Sequence, residues 1–143
     1  MLQYFSHIDQ ELVDLIKDDP VRPEIPADQR VTHNGRVYVL RSDQGTSAVT
    51  CIKFLAQVPA NVIDLMQPTD HANTAVFYTI WSYVPGSGRE LIEQACRAIQ
   101  QENPNIQTFV TLSPKTEMAQ RFHLRNGALL YRENTDTINY IYK

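Results

Sequence analysis

A serine, a histidine and two glycines are the residues whose types and spacing could do chemistry in this chain. Thr111-Leu112-Ser113-Pro114 precedes Phe122-His123-Leu124-Arg125-Asn126-Gly127-Ala128, and upstream of both lies Pro85-Gly86-Ser87-Gly88-Arg89. A hydroxyl can bind or polarise a carbonyl, and an imidazole can transfer a proton near neutral pH. A glycine turn that opens directly into a helix offers unpaired N–H groups and the positive end of the helix dipole, so it can hold a pyrophosphate without a charged side chain. Glycine lets the phosphate approach the backbone closely. Gly86-Ser87-Gly88 lacks the Lys-Ser/Thr pair of a Walker loop and the third glycine of a dinucleotide fingerprint. On its own it reads equally as an ordinary strand-to-helix turn.

The elements that must position these residues follow from periodicity. Ser6-His7-Ile8-Asp9 has the form of a capping box, and Ile8, Leu12, Leu15 and Ile16 recur at helical spacing up to Pro20. Pro20, Pro23 and Pro26 then hold an extended connecting loop. Turn signals at Asn34-Gly35 and Gln44-Gly45 frame strands at 36–41 and 47–57, and Val62 to Met66 reads as a helical turn over the sheet. Residues 74–83 form the strongest strand, almost wholly apolar and aromatic.

That strand runs into the glycine turn, after which Leu91, Ile92, Ala95, Cys96 and Ile99 mark one face of a helix ending near Asn103-Pro104. A strand at 106–112 follows. Ser113 and Pro114 suit the Ncap and N1 positions of the next helix, whose buried stripe would be Met118, Ala119 and Phe122, with Asn126-Gly127 closing it. Strands at 128–132 and 137–142 complete the chain. Strands 74–83 and 106–112, joined by one helix, should be parallel and the hairpins antiparallel. The expected fold is α/β (α+β): a mixed, mostly antiparallel sheet with helices on both faces.

A length of 143 residues fits one domain spanning 1–143. Hydrophobic residues at 43% and charged residues at 20% exclude a disordered chain, and no apolar run reaches membrane-spanning length. A net charge of −3 argues against a nucleic-acid partner, which would demand a basic surface. Arg121 and Arg125 could still form a local polyanion site or serve only as solvated helix charges. Cys51 and Cys96 lie in apolar segments and read as reduced, packed thiols, and four scattered histidines give no metal-site spacing, so no metal is expected. The N-terminus lacks a signal-peptide pattern, which makes the cytoplasm the expected compartment. The free strand edges are candidates for homodimer contact.

Strand, glycine turn and helix in this arrangement resemble the GNAT superfamily of acyl-CoA-dependent transferases, whose phosphate loop reads Gln/Arg-x-x-Gly-x-Gly/Ala. Gly86 and Gly88 fill its small positions and Tyr83 stands where Gln/Arg is usual. Ala119, Phe122, Gly127 and Ala128 fit the family's later helix, with His123 in place of the usual tyrosine and Thr116 in place of the usual asparagine. These departures point away from a routine N-acetyltransferase. Ala75 to Ile80, the glycine turn, Phe109 to Pro114, Phe122 to Ala128 and Asn139-Tyr140-x-Tyr142 are more closely similar to the catalytic domain of malonyl-CoA decarboxylase, itself GNAT-folded. The chain lacks that family's helical domain and its insertion.

The resemblance implies an acyl-CoA ligand, a thioester of the acetyl-CoA or malonyl-CoA kind, and an enzyme acting on it by decarboxylation or acyl transfer; a non-catalytic binding module is the competing reading. It assigns Ser113 to the malonyl group and His123 to protonation or thioester contact. Trp81, Tyr83, Val84, Gly86, Ser87, Gly88 and Arg89 become the coenzyme-binding candidates. Ser113 keeps its alternative as a plain helix cap. If it caps a straight helix carrying His123, about 15 Å separate the two, too far for a direct pair.

Overall fold

The structure, a computed structural model, describes residues 1–143. One sheet organises the chain in the order β1-β2-β3-β4-β5-β8-β6, with β7 on the other side of β8. The strands are β1 (Leu2–Phe5), β2 (Gly35–Ser42), β3 (Gly45–Leu55), β4 (Thr74–Ser82), β5 (Thr108–Thr111), β6 (Ser113–Pro114), β7 (Leu129–Glu133) and β8 (Thr137–Tyr142). Four helices, α1 (Gln10–Ile16), α2 (Val62–Leu65), α3 (Ser87–Glu102) and α4 (Glu117–Arg125), connect them. Every strand pair is antiparallel except β4–β5, as their single-helix connection predicts.

The sheet is buried on both faces. Leu12 and Ile16 of α1 and Leu65 of α2 pack with Val49, Val76 and Trp81 on one side. Leu91, Ile92, Ala95 and Ile99 of α3 pack with Ala75, Phe77 and Ile52 on the other. Burial from two sides explains why β4 reads as a continuous apolar run instead of alternating. Each of those leucine, isoleucine and valine side chains contributes about 1.5–3 kcal/mol of burial free energy.

Four local expectations are corrected. Residues 2–5 form an edge strand paired with β2, so the chain opens on β1. Asp9, not Ser6, then caps α1: the edge pairing holds residues 2–5 extended, and the Asp9 carboxylate accepts the Leu12 N–H at 2.9 Å. Near the other end, Ser113 is not a helix cap. It lies in β6 opposite Ile138, while Thr116 caps α4 by accepting the Ala119 N–H at 3.2 Å. Starting α4 after that extra pairing turns the helix so that Met118 is 79% exposed and His123 becomes its buried residue.

Candidate active site

The site begins where two parallel strands stop being partners. β4 and β5 pair from Thr74↔Thr108 to Phe77↔Thr111, and a Leu112 N–H donated to Phe77 O at 3.0 Å is the last rung. Beyond it β5 ends and the chain turns away to pair β6 with β8, so the sheet splits. Against β3, the β4 register jumps from Phe77↔Ile52 to Thr79↔Cys51, which leaves Tyr78 as a bulge. A cleft of about 580 Å³ opens at this split, lined by residues 77–82 of β4, Leu112, Ser113 and Pro114, Pro20 and Val21, Gly88, and the α4 face that carries Phe122 and His123.

The glycine turn closes one end. Gly86 caps α3 in the left-handed region (φ +84°), and a β-carbon there would meet only open space. Gly88 serves packing: a β-carbon at that position would lie 2.9 Å from Phe122 Cζ, so its absence lets α4 close onto α3. Ser87 is spent internally. Its hydroxyl is shared between Ser47 O (2.9 Å) and Val84 O (2.5 Å), and its N–H donates to Val84 O at 3.2 Å. The N–H groups of Gly88 and Arg89, in the first turn of α3, have no carbonyl acceptor, which leaves donors a phosphate would use. The Arg89 side chain is exposed and pairs with Glu93 at 3.2 Å.

At the end of β4, Trp81 lines the cleft, and its indole N–H donates to Tyr83 Oη at 3.0 Å. Tyr83 Oη donates in turn to Asp18 at 2.7 Å, so this partly exposed tyrosine ties β4 to the end of α1. The Val84 side chain is exposed beside it.

His123 is 5% exposed and packed among aromatics. Its ring stacks on Tyr140 (centroids 5.2 Å apart, 28° between planes), meets Phe122 edge-on at 5.1 Å, and its Nδ1 lies 2.6 Å from the Tyr142 hydroxyl. Burial pushes its pKa down to about 4, so the ring is neutral at pH 7. Burial also raises the Tyr142 phenol well above its ordinary value and keeps it protonated. Nε2 has no protein partner and is the nitrogen available to a ligand.

Ser113 joins His123 in lining this cleft. Its hydroxyl donates to Thr111 Oγ1 at 2.8 Å, and Thr111 Oγ1 also accepts the Tyr140 N–H at 3.0 Å, so serine and histidine both rest on β8. The 15 Å separation expected of a shared straight helix does not apply, because Ser113 precedes α4. Asn139 braces the same junction, donating to Thr111 O at 2.7 Å and Pro59 O at 3.0 Å. Arg121 and Arg125 lie on the exposed side of α4, Arg121 at 4.0 Å from Glu117.

Several residues that shape the site carried no sequence signal. Asp19 and Arg30 form an ion pair at 2.6 Å with both side chains fully buried, and Asp19 also accepts the Thr79 hydroxyl at 2.7 Å beneath the cleft. Arg22 donates to carbonyls on both sides of the split. A charged residue in a proline-rich loop ordinarily reads as solvated. Tyr142, by contrast, lies in a segment already singled out, although its bond to His123 depends on how α4 meets β8.

Comparison with known proteins accords with this geometry. No family model matches the chain. No curated protein matches its sequence. Among solved structures, malonyl-CoA decarboxylase from Agrobacterium vitis superposes with a TM-score of 0.81 at 18% identity, covering 100% of this chain and 60% of that one. This chain therefore spans about 60% of the length of that relative. A Bacillus subtilis acetyltransferase in complex with CoA matches at a TM-score of 0.60 and 14% identity over 99% of this chain and 97% of its own. N-acetyltransferase PseH from Campylobacter jejuni matches at 0.62 and 14% identity over 100% and 96%. At such identities the likeness is one of fold. By its split mixed sheet and its helix order, the chain has a GNAT-like fold, which it shares with solved acetyltransferases, one of the GNAT family among them, and with part of malonyl-CoA decarboxylase.

Proposed function

We propose that this chain binds an acyl-CoA and acts on its thioester. The pyrophosphate would lie against the free N–H groups of Gly88 and Arg89, the pantetheine arm would pass Trp81 between the split strands, and the acyl group would end beside His123 and Ser113. The observation that carries this reading is the continuity of one cleft from the start of α3, through the split, to His123.

A decarboxylase-like reaction suits the pair of side chains. Breaking the bond between the malonyl methylene and its carboxylate releases carbon dioxide and leaves an enolate on the thioester, which Ser113 can meet by turning its hydroxyl proton from Thr111 Oγ1 to the enolate oxygen. With the Tyr142 hydroxyl donating to Nδ1, His123 carries its proton on Nε2. As the enolate carbon takes that proton, the Tyr142 proton passes to Nδ1, and the tyrosinate regains one from water. The imidazole stays neutral throughout, in keeping with its low pKa.

Acyl transfer is the second reading, favoured by two observations. The acetyltransferase structures match this chain over nearly their full length. No lysine or arginine lines the cleft, so a malonyl carboxylate would meet no cation there. In the other tautomer a free Nε2 would accept the proton of an incoming amine.

Calorimetric titration with CoA, acetyl-CoA and malonyl-CoA tests the proposal, and a chain that binds none of them would sink it. Carbon dioxide release from malonyl-CoA by the wild type but not by His123→Ala would identify the decarboxylase reading. Transfer of an acetyl group to an amine would identify the alternative, and tight binding without turnover would mark a binding module. Cytoplasmic placement and a homodimer belong to the same proposal; no helix is long and apolar enough to cross a membrane.

A further inference from the structure

We infer that Arg22 is a positioning residue for the acyl end of the cleft: its guanidinium bridges the two parting strands and holds the loop before β2 as a wall of the site. This inference rests on the coenzyme A reading.

Splitting a parallel pair leaves backbone acceptors without ladder partners, and a buried carbonyl without a donor is destabilising. Leu112 O is one such group, because no backbone N–H reaches it. Tyr78, the bulged residue of β4, is another place where the ladder is interrupted. Arg22 Nε donates to Tyr78 O at 3.0 Å and Arg22 Nη2 donates to Leu112 O at 2.9 Å. One planar fork thus meets both strands just past their last rung. Arginine suits the task because its N–H groups diverge at fixed angles, whereas a lysine ammonium is a point donor on a flexible stem.

The loop that carries this fork is locked from beneath. Asp19 Oδ1 accepts the N–H groups of Val21 and Arg22 at 2.8 and 3.0 Å, and Arg30 Nη2 donates to Arg22 O at 2.7 Å. Pro20 and Val21 are thereby presented to the cleft opposite Phe122 and His123. Arg22 itself is only 8% exposed, turns Nε and Nη2 to the backbone, and is not among the residues that line the cleft, so it acts on the ligand through the wall it holds. The glycine turn is built separately, from Ser47, Val84 and Ser87. A change at residue 22 should therefore act on the acyl end and spare the phosphate end.

The test compares CoA with acetyl-CoA by calorimetry on the full chain. Arg22→Lys can reach one carbonyl but not span both, so CoA affinity should change by less than about 2-fold while the acetyl-CoA to CoA affinity ratio shifts by about 5-fold or more. An unchanged ratio would overturn the inference, and so would equal losses for both ligands, which a merely structural arginine predicts. Should Arg22→Lys fold poorly, Val21→Phe, which fills the same end without touching the network, must weaken acetyl-CoA and not CoA; equal effects there overturn the proposal. A wild-type chain that binds neither ligand removes the coenzyme A reading itself, whereas intact binding with an insensitive ratio removes only the role of Arg22.

Discussion

Nδ1 of His123 lies 2.6 Å from the hydroxyl of Tyr142, which joins the middle helix face of the cleft to the last strand of the sheet. The pair fixes the ring plane and assigns Nε2 to the ligand. Tyr142→Phe leaves a buried imidazole nitrogen without its partner, an expected loss of about 1–3 kcal/mol in denaturant unfolding. If the pair orients His123 for chemistry, thioester turnover should fall at least about 10-fold with binding retained, as removal of a base's orienting partner does. Turnover equal to wild type would detach Tyr142 from the reaction.

The low pKa of His123 makes stability depend on pH. In the unfolded chain an ordinary histidine near 6.5 binds its proton first, whereas the folded chain resists protonation until about 4. Between those values the unfolded state holds more protons, so stability is complete above about 6.5 and declines as the pH falls toward 4, by at most about 3 kcal/mol. Urea midpoints across this window should fall for wild type, and the part due to this histidine should vanish in His123→Leu. Parallel slopes in the two proteins would refute the assignment.

Gly86 and Gly88 should fail for different reasons. Gly86→Ala meets no neighbour but must hold a left-handed backbone, at about 1–2 kcal/mol. Gly88→Ala thrusts a methyl into Phe122, an overpacking cost of about 1–3 kcal/mol. A shorter side chain in Phe122→Leu should relieve the second defect and not the first. Thermal unfolding of the two double mutants, read as coupling energies, decides this.

The buried Asp19–Arg30 pair predicts a sharper effect than any surface pair. Asp19→Asn leaves the fully buried Arg30 without its counter-charge and should cost about 3–5 kcal/mol. Arg89→Ala, which breaks the exposed pair with Glu93, should cost well under about 1 kcal/mol. Similar unfolding midpoints for the two variants would show that the interior pair is not a structural anchor.

Much of the scaffold could be read from local pattern. The spacing of Leu91, Ile92, Ala95 and Ile99 set the buried face of α3, the apolar run in β4 announced a strand covered on both sides, and Gly86 marked the turn that its left-handed backbone requires. Each is a short-range property, since period, propensity and dihedral freedom act within a few residues. His123 stood out on a different ground, the resemblance of the block that surrounds it, since no local period or propensity marks a lone histidine as functional.

Ser113 could not be placed that way. Ser-Pro is an equally good helix start and edge-strand dipeptide, and only the Ile138 pairing in β8 chooses between them. That choice also moved the start of α4 to Thr116, exposed Met118 and buried His123. The charged network lay further out of reach: Arg22 meets carbonyls 56 and 90 positions later in the chain, and nothing local distinguishes it from a solvated arginine. By itself the sequence determined the elements and the residues able to do chemistry, because those depend on neighbours along the chain. Tertiary structure alone decided where the sheet splits, which nitrogen of His123 faces the cleft and which arginine spans the gap, because each depends on a buried partner supplied from a distant segment.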